Sequence, residues 1–301
     1  LWALGLTLCL AAPNATAGPA HPCEFTALNL LRADLADVRT EFWTAVAVLQ
    51  NLPPGGEQNE AWDDAKAQRT ESRDEAFERY EARLEFCDAL DEHRYDPVID
   101  PADFDGGASN SLFPLTPGLI RTYEGETDEG TETVIVEVTH ETREIMGVEC
   151  VIVHDAAYLD GELIEDTLDY FATDDAGNVW YFGENSLEYE DGFAVSTDGS
   201  WIGGEDGARP GIVMLADPQV GDVYRQEWAP REAEDGGEVV DLSVTVHVPA
   251  GTYPGCLQTA DFTPIEPDTL EYKFYAPGAG VVQEVNAESG DTVELIAIVF
   301  P

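Results

Sequence analysis

Thr133-Val134-Ile135-Val136-Glu137-Val138, then Cys150-Val151-Ile152-Val153, then Val179-Trp180-Tyr181-Phe182 are short β-branched and aromatic runs with turn residues between them. β-branched and aromatic side chains fit a pleated, half-buried surface, so each run predicts a strand. Further runs lie at Val239 to Val248, Leu270 to Tyr275, Val281 to Val285 and Val293 to Val299. Asp-Gly pairs begin at Asp105, Asp160, Asp191, Asp198, Asp206 and Asp235. Such a pair supplies the positive φ angles that a tight hairpin needs. Strands and turns without a helical period between them predict antiparallel pairing. The need to hide edges predicts an up-and-down, lipocalin-like barrel or half-barrel, favoured over a two-sheet sandwich.

Upstream of these runs the period changes. Phe25, Leu28, Leu31, Leu35, Val38, Phe42, Ala45 and Leu49 step by three and four, a helical stripe that stops at Pro53-Pro54-Gly55-Gly56. A second helical stretch from about Trp62 to Leu90 carries Phe77, Tyr80, Leu84 and Cys87 at the same spacing. The fold class expected is therefore α+β: an antiparallel helical hairpin over 23–95, a linker over 96–117 and an antiparallel β domain over 118–301.

Residues 1–17 combine an apolar run, Leu1 to Ala12, with Ala15-Thr16-Ala17, and read as the remnant of a secretory signal peptide. Export implies oxidising surroundings, in which Cys23, Cys87, Cys150 and Cys256 pair as disulfides. Cys23 and Cys87 each lie 32 residues from Gly55, so a hairpin folded there brings them together. Elimination then pairs Cys150 with Cys256. No further apolar run has the length of a transmembrane helix.

Charge narrows the function. The 301 residues carry 61 Asp and Glu against 14 Lys and Arg, a formal charge of -47. Nucleic-acid binding needs clustered cations and is excluded. Only six of the basic residues lie in 101–301, so the β domain holds most of the negative excess and invites cations.

Several stretches carry a resemblance: Tyr95-Asp96-Pro97, Leu112-Phe113-Pro114-Leu115-Thr116-Pro117-Gly118, Gly177-Asn178-Val179-Trp180-Tyr181-Phe182-Gly183-Glu184 and Tyr275-Ala276-Pro277-Gly278-Ala279-Gly280-Val281-Val282. Together with Pro210 to Met214 and Gly221 to Glu227, they are similar to a family of exported bacterial β-rich proteins of no known activity. The resemblance implies export and a β fold, and no catalytic residue.

Candidate chemistry clusters around the aromatic runs. Trp180 and Phe182 share one strand face and Tyr181 takes the other. With Tyr189, Trp201 and Arg225 they form a candidate groove for a small apolar or sugar-like ligand. Asp174, Asp175 and Asn178 offer oxygens for Ca²⁺ without an EF-hand spacing. His140, His154 and His247 would make a metal site if their strands brought them together. No nucleophile motif is present, and Glu184 and Glu188 are the carboxylate pair a glycosidase-like hydrolase would use. The expected function is a secreted or periplasmic acidic binding or structural protein, associated with divalent cations or a small-molecule or glycan ligand. An extracellular hydrolase is the alternative.

Overall fold

The computed structural model describes residues 21–90, 94–127 and 130–301. The signal-peptide reading of residues 1–17 lies outside the described residues.

Helices α1 (Pro22–Leu49) and α2 (Gly56–Leu90) form the hairpin. Pro22 opens α1 where its missing N–H costs no hydrogen bond, and Glu24 favours the positive end of the helix dipole. Leu31, Val38, Phe42 and Leu49 of the α1 stripe are buried, as the spacing required. The Phe42 ring meets Trp62 at 6.0 Å and the Arg69 guanidinium at 4.7 Å across the hairpin. On α2 the expected stripe is met in part: Cys87 is buried, Tyr80 and Leu84 are half-buried and Phe77 is exposed, while Ala65, Ala76, Arg83 and Phe86 are also buried. Cys23 and Cys87 are joined, with their Cα atoms 5.8 Å apart.

The 3₁₀ turn Pro101–Phe104 leads to fifteen strands among the described residues. They are β1 (Ile120–Thr127), β2 (Gly130–Ile145), β3 (Val148–Leu159), β4 (Glu162–Thr173), β5 (Val179–Glu190), β6 (Phe193–Ser196), β7 (Trp201–Ile202) and β8 (Arg209–Met214). There follow β9 (Val223–Arg225), β10 (Glu227–Trp228), β11 (Gly236–Val248), β12 (Gly251–Phe262), β13 (Leu270–Ala276), β14 (Gly280–Asn286) and β15 (Thr292–Val299). Pairing is antiparallel in the order β10-β8-β5-β4-β3-β2-β1-β15-β14-β13-β12-β11-β9. Three of the six Asp-Gly pairs have positive φ at both residues: Asp160 and Gly161 (51° and 83°) and Asp191 and Gly192 (52° and 77°) join paired strands, and Asp206 and Gly207 (46° and 92°) turn the chain between β7 and β8. Met146-Gly147 adopts the same geometry between β2 and β3, with φ 52° and 83°.

The fold is thus α+β with a single antiparallel sheet, which excludes the sandwich. The sheet is unclosed, as in the half-barrel form of the expected architecture. The two ends of the strand order, β9 and β10, are successive pieces of one segment, with Gln226 between them. The ladder breaks at that residue because the amides of Gln226 and Glu227 both point to the Asp235 carbonyl, at 2.9 and 3.4 Å. A covalent stitch, rather than a continuous ladder, ties the edges.

Four apolar clusters result among the described residues, the smallest being Trp201, Ala208, Ala229 and Ala233. One fills the inside of the curved sheet and includes Leu119, Val153, Phe171, Met214, Leu257 and Tyr275. A second includes Val246, Cys256, Val282 and Leu295, where Ala250 donates its amide to the Leu295 carbonyl. The third, Cys150, Tyr170 and Phe182 among others, is covered by Phe104. The expected Cys150–Cys256 disulfide is therefore wrong. Both are buried free thiols in different clusters, on β3 and β12, with five strands between them in the sheet. A bridge needs Cβ atoms about 4 Å apart.

Candidate functional site

Inward-facing positions of a strand recur every second residue. On β3 Val153 is followed inward by Asp155, and on β4 Phe171 is preceded by Asp169. On β13 Tyr275 is preceded by Lys273, and on β12 Leu257 is followed, through Thr259, by Asp261. Each of these four strands changes from an apolar inward residue to an ionisable one. Between the apolar floor and the charged belt lies a cavity of about 350 Å³. Seven carboxylic acids line it against two cations, Arg121 and Lys273. Its volume falls near the lower end of the range for small-molecule pockets, roughly 300–1,000 Å³.

One wall is an aromatic ladder. Phe113 meets Phe171 edge-on at 5.1 Å, Phe171 stacks on Tyr181 at 4.7 Å, and Tyr181 meets Trp201 edge-on at 5.4 Å. Tyr181 donates its hydroxyl to Asp169 Oδ1 at 2.6 Å. Gly183 interrupts the alternation on β5, with φ 133°. A Cβ there would sit 2.3 Å from the Trp201 carbonyl oxygen, so only glycine allows β7 to approach. Past this irregularity Glu184 pairs with Asp169 across β4 and β5.

Burial keeps several of these acids neutral toward higher pH. It pushes Asp155 up to about 8, aided by the nearby Asp169 and Glu284. It raises Asp169 to about 7, aided by Glu184. Burial also raises Glu184 to about 7, against the hydrogen bond from Tyr181. Asp155 and Asp169 retain accessible surface, but that surface faces the cavity rather than bulk solvent. Glu227 and Asp235 share a hydrogen bond and both are raised by burial, with Glu227 as the protonated partner. The Trp201 indole N–H donates to Glu227 Oε2 at 2.8 Å. Lys273 is held charged first by Glu284, and its Nζ lies 3.9 Å from Asp261 Oδ2. Asp261 is 8% exposed, and its Oδ1 has no hydrogen-bond partner. A buried acceptor without a donor costs about 1–3 kcal/mol, so a donor group placed in the cavity would relieve it.

The sequence-expected residues divide around this cavity. Trp180 and Phe182 face away from it. Phe182 is fully buried against Phe104 at 5.6 Å, and Trp180 donates its indole N–H to Asp174 Oδ2. The groove expected on that face is packed core, and Tyr181 on the opposite face lines the cavity instead. Trp201 supports the aromatic wall from behind, and Tyr189 lies half-buried on β5 beside β6. Arg225 is buried outside the cavity, its guanidinium 4.5 Å from Phe86, 5.4 Å from Tyr95 and 4.8 Å from Trp228. Glu184 reaches the belt, whereas Glu188 is exposed opposite Glu165.

The oxygens read as calcium ligands close a turn. Asp174 accepts from the Asn178 amide and side chain, Asp175 from the Gly106 amide, and Asn178 Oδ1 from the Ala216 amide. His154 pairs with Asp166 at 2.6 Å and shares an outer groove with His140. His247 bonds Thr252 instead, so the three histidines do not converge. Among the described residues no group of three or more His, Cys, Asp or Glu is placed to hold a metal ion. No described helix is long and apolar enough to cross a membrane.

Asp155, Asp169, Asp261, Lys273 and Arg121 escaped the sequence reading. The available signal was an ionisable residue in phase with inward apolar positions, as in Val153-x-Asp155.

No protein-family model matches the chain, and no curated protein does. Among solved structures, it is similar to a candidate exported protein with a YmcC-like fold from Bacteroides fragilis. The identity is 18%, over 62% of this chain and 98% of the other, with a TM-score of 0.35. It is also similar to a candidate lipoprotein from Parabacteroides distasonis, at 14% identity over 64% of this chain and 99% of the other, with a TM-score of 0.35. At these levels neither likeness transfers a site or an activity to this chain.

Proposed function

We propose that the protein is an exported binding protein whose cavity takes a small amphipathic cation, an organic amine with an apolar body. Export accords with the leader-like residues 1–17 and with the disulfide, a bond that persists in oxidising compartments. The observation that carries the ligand class is the change from apolar to acidic along the inward face of the strands, with Asp261 Oδ1 buried and lacking a donor. An ammonium donates up to three hydrogen bonds and matches that acceptor-rich belt, while its hydrocarbon part rests against Phe171 and Val153.

Because burial holds Asp155 and Asp169 neutral toward higher pH, a bound cation displaces protons. Calorimetric titration with hexylamine, hexanol and hexanoate tests the reading. Hexylamine is expected to bind, more tightly at pH 8 than at pH 6, with proton release visible as a heat that depends on the buffer. Equal binding of hexanol, or no hexylamine heat at pH 8, refutes it. The same titration with neutral oligosaccharides measures the sugar alternative.

A further inference from the structure

Arg121 is the feature of the cavity that an acceptor-rich cation site does not explain. It lies on β1, 4% exposed, and lines the same cavity as the acids. Its Nε is buried without a partner, and its Nη1 makes one long contact, 3.5 Å, with the Ala279 carbonyl. Among the described residues no carboxylate forms an ion pair with it, although seven acids share the cavity. Space for the guanidinium is built in: a Cβ on Gly280 would lie 2.3 Å from Nη1, and Gly280 has φ 83°. An uncompensated buried cation is costly, and here five donors converge with hardly an acceptor.

Register places Arg121 relative to the belt. Arg121 pairs with Val136, and Val136 pairs with Asp155. Cation and acid thus stand in one row, two strands apart, about 10 Å between backbones. Arg121 turns toward Ala279 instead of pairing with Asp155, and the acid remains protonated to unusually high pH. Opposite charges are presented to one cavity without neutralising each other.

We infer that the ligand is zwitterionic, with an ammonium held among Asp155, Asp169 and Asp261 and a carboxylate received by Arg121. A carboxylate suits the planar guanidinium because it accepts two parallel N–H bonds. The inference rests on the amine-binding reading above and narrows it to amino acids whose charged ends are separated.

The test compares ω-amino acids from 4-aminobutanoate to 8-aminooctanoate with alkylamines of equal length by calorimetry, on the full chain at pH 8. At one chain length the amino acid is expected to bind at least tenfold more tightly than its amine. In Arg121→Gln the ratio of amino-acid to amine affinity is expected to fall to about one at every chain length. Arg121→Lys, which keeps the charge, retains part of the advantage and serves if the glutamine variant does not fold. If the amines bind and no amino acid exceeds its amine at any length, the zwitterion inference fails and the amine reading stands. If neither series binds, both fail.

Discussion

Replacing Glu234 with Gln changes one oxygen into an amide nitrogen at a site that is 1% exposed. Glu234 accepts from Arg83 twice, Nε to Oε2 at 2.7 Å and Nη2 to Oε1 at 2.9 Å, and from the Arg231 amide at 2.8 Å. Arg83 is 5% exposed and also reaches Asp34 Oδ2 at 3.2 Å. Asp34 takes the Arg231 Nε at 3.0 Å, and Asp37 takes its Nη2. Helix α1 contributes the Asp34 and Asp37 carboxylates, helix α2 contributes Arg83, and the segment before β11 contributes Glu234 and Arg231. The network therefore clamps the hairpin to the sheet.

In Glu234→Gln the new amide points N–H donors at a guanidinium that has only donors, and removes half of the buried negative charge on Arg83. Breaking a buried pair from one side costs about 3–5 kcal/mol, because the remaining charge is left uncompensated. Asp34 still pairs with Arg83, so the lower end, about 3 kcal/mol, is expected from urea denaturation. The double variant Arg83→Met with Glu234→Leu removes both desolvated charges and is expected to recover most of that loss. A loss below about 1 kcal/mol in the single variant, or a double variant as unstable as the sum of its parts, refutes the assignment of this pair as the clamp.

Further expectations concern other parts of the fold. Reducing the Cys23–Cys87 bond, whose ends are 64 residues apart, frees loop entropy worth about 4 kcal/mol, read as a lower denaturation midpoint. Cys150 and Cys256 are buried thiols, and burial lifts Cys150 to about 12; they should react with a thiol reagent only in denaturant. The pKa of Asp155 is raised in the folded state to about 8, so the native protein holds an extra proton between pH 4 and 8. Stability of the ligand-free protein therefore falls as pH rises through that window, and Asp155→Asn should flatten the fall measured at pH 5, 7 and 9. Gly183→Ala meets both the Trp201 carbonyl oxygen and a positive φ, and a loss of about 1–3 kcal/mol is expected, with Glu184 displaced from the belt.

The hairpin and its disulfide were legible because a stripe near 3.6 residues and an equal count on either side of Gly55 are local facts. The strands were legible for the same reason. Which strand face looks inward was not. Trp180, Tyr181 and Phe182 alternate without preference, and the outer face became core only because Phe104, some 80 residues earlier in the chain, covers it. Elimination paired Cys150 with Cys256 on the premise that every exported cysteine is bridged; a thiol buried among Tyr170 and Phe182 needs no partner, since cysteine packs as a small apolar residue. The cavity acids were hidden among 61 others. Gly183 compounded this by shifting the phase of β5, so alternation counted from Tyr181 puts Glu184 on the wrong side.

The hairpin and the cavity meet where the sheet fails to close. Glu234, held by Arg83 of α2, directly precedes Asp235, whose carbonyl receives the Gln226 and Glu227 amides and whose side chain lines the cavity. Gln226 in turn donates to Asp261 Oδ2 at 3.0 Å. On the other side of the stitch, Arg225 lies over the Phe86 ring of the same helix, and a Cβ on Gly236 would lie 2.3 Å from Phe86 Cζ. Helix α2 therefore grips both flanks of the segment where β9 and β10 fail to form a continuous ladder. A closed barrel would hold Glu227 and Asp235 in a continuous ladder, whereas here their positions depend on the clamp, and Asp261, laddered to β11 and β13, meets them through Gln226. It follows that Glu234→Gln should loosen the acidic belt as well as the hairpin. Hexylamine affinity should fall in that variant even at temperatures where it is fully folded. Unchanged affinity would mean that the stitch supports the belt unaided and that the hairpin serves only stability.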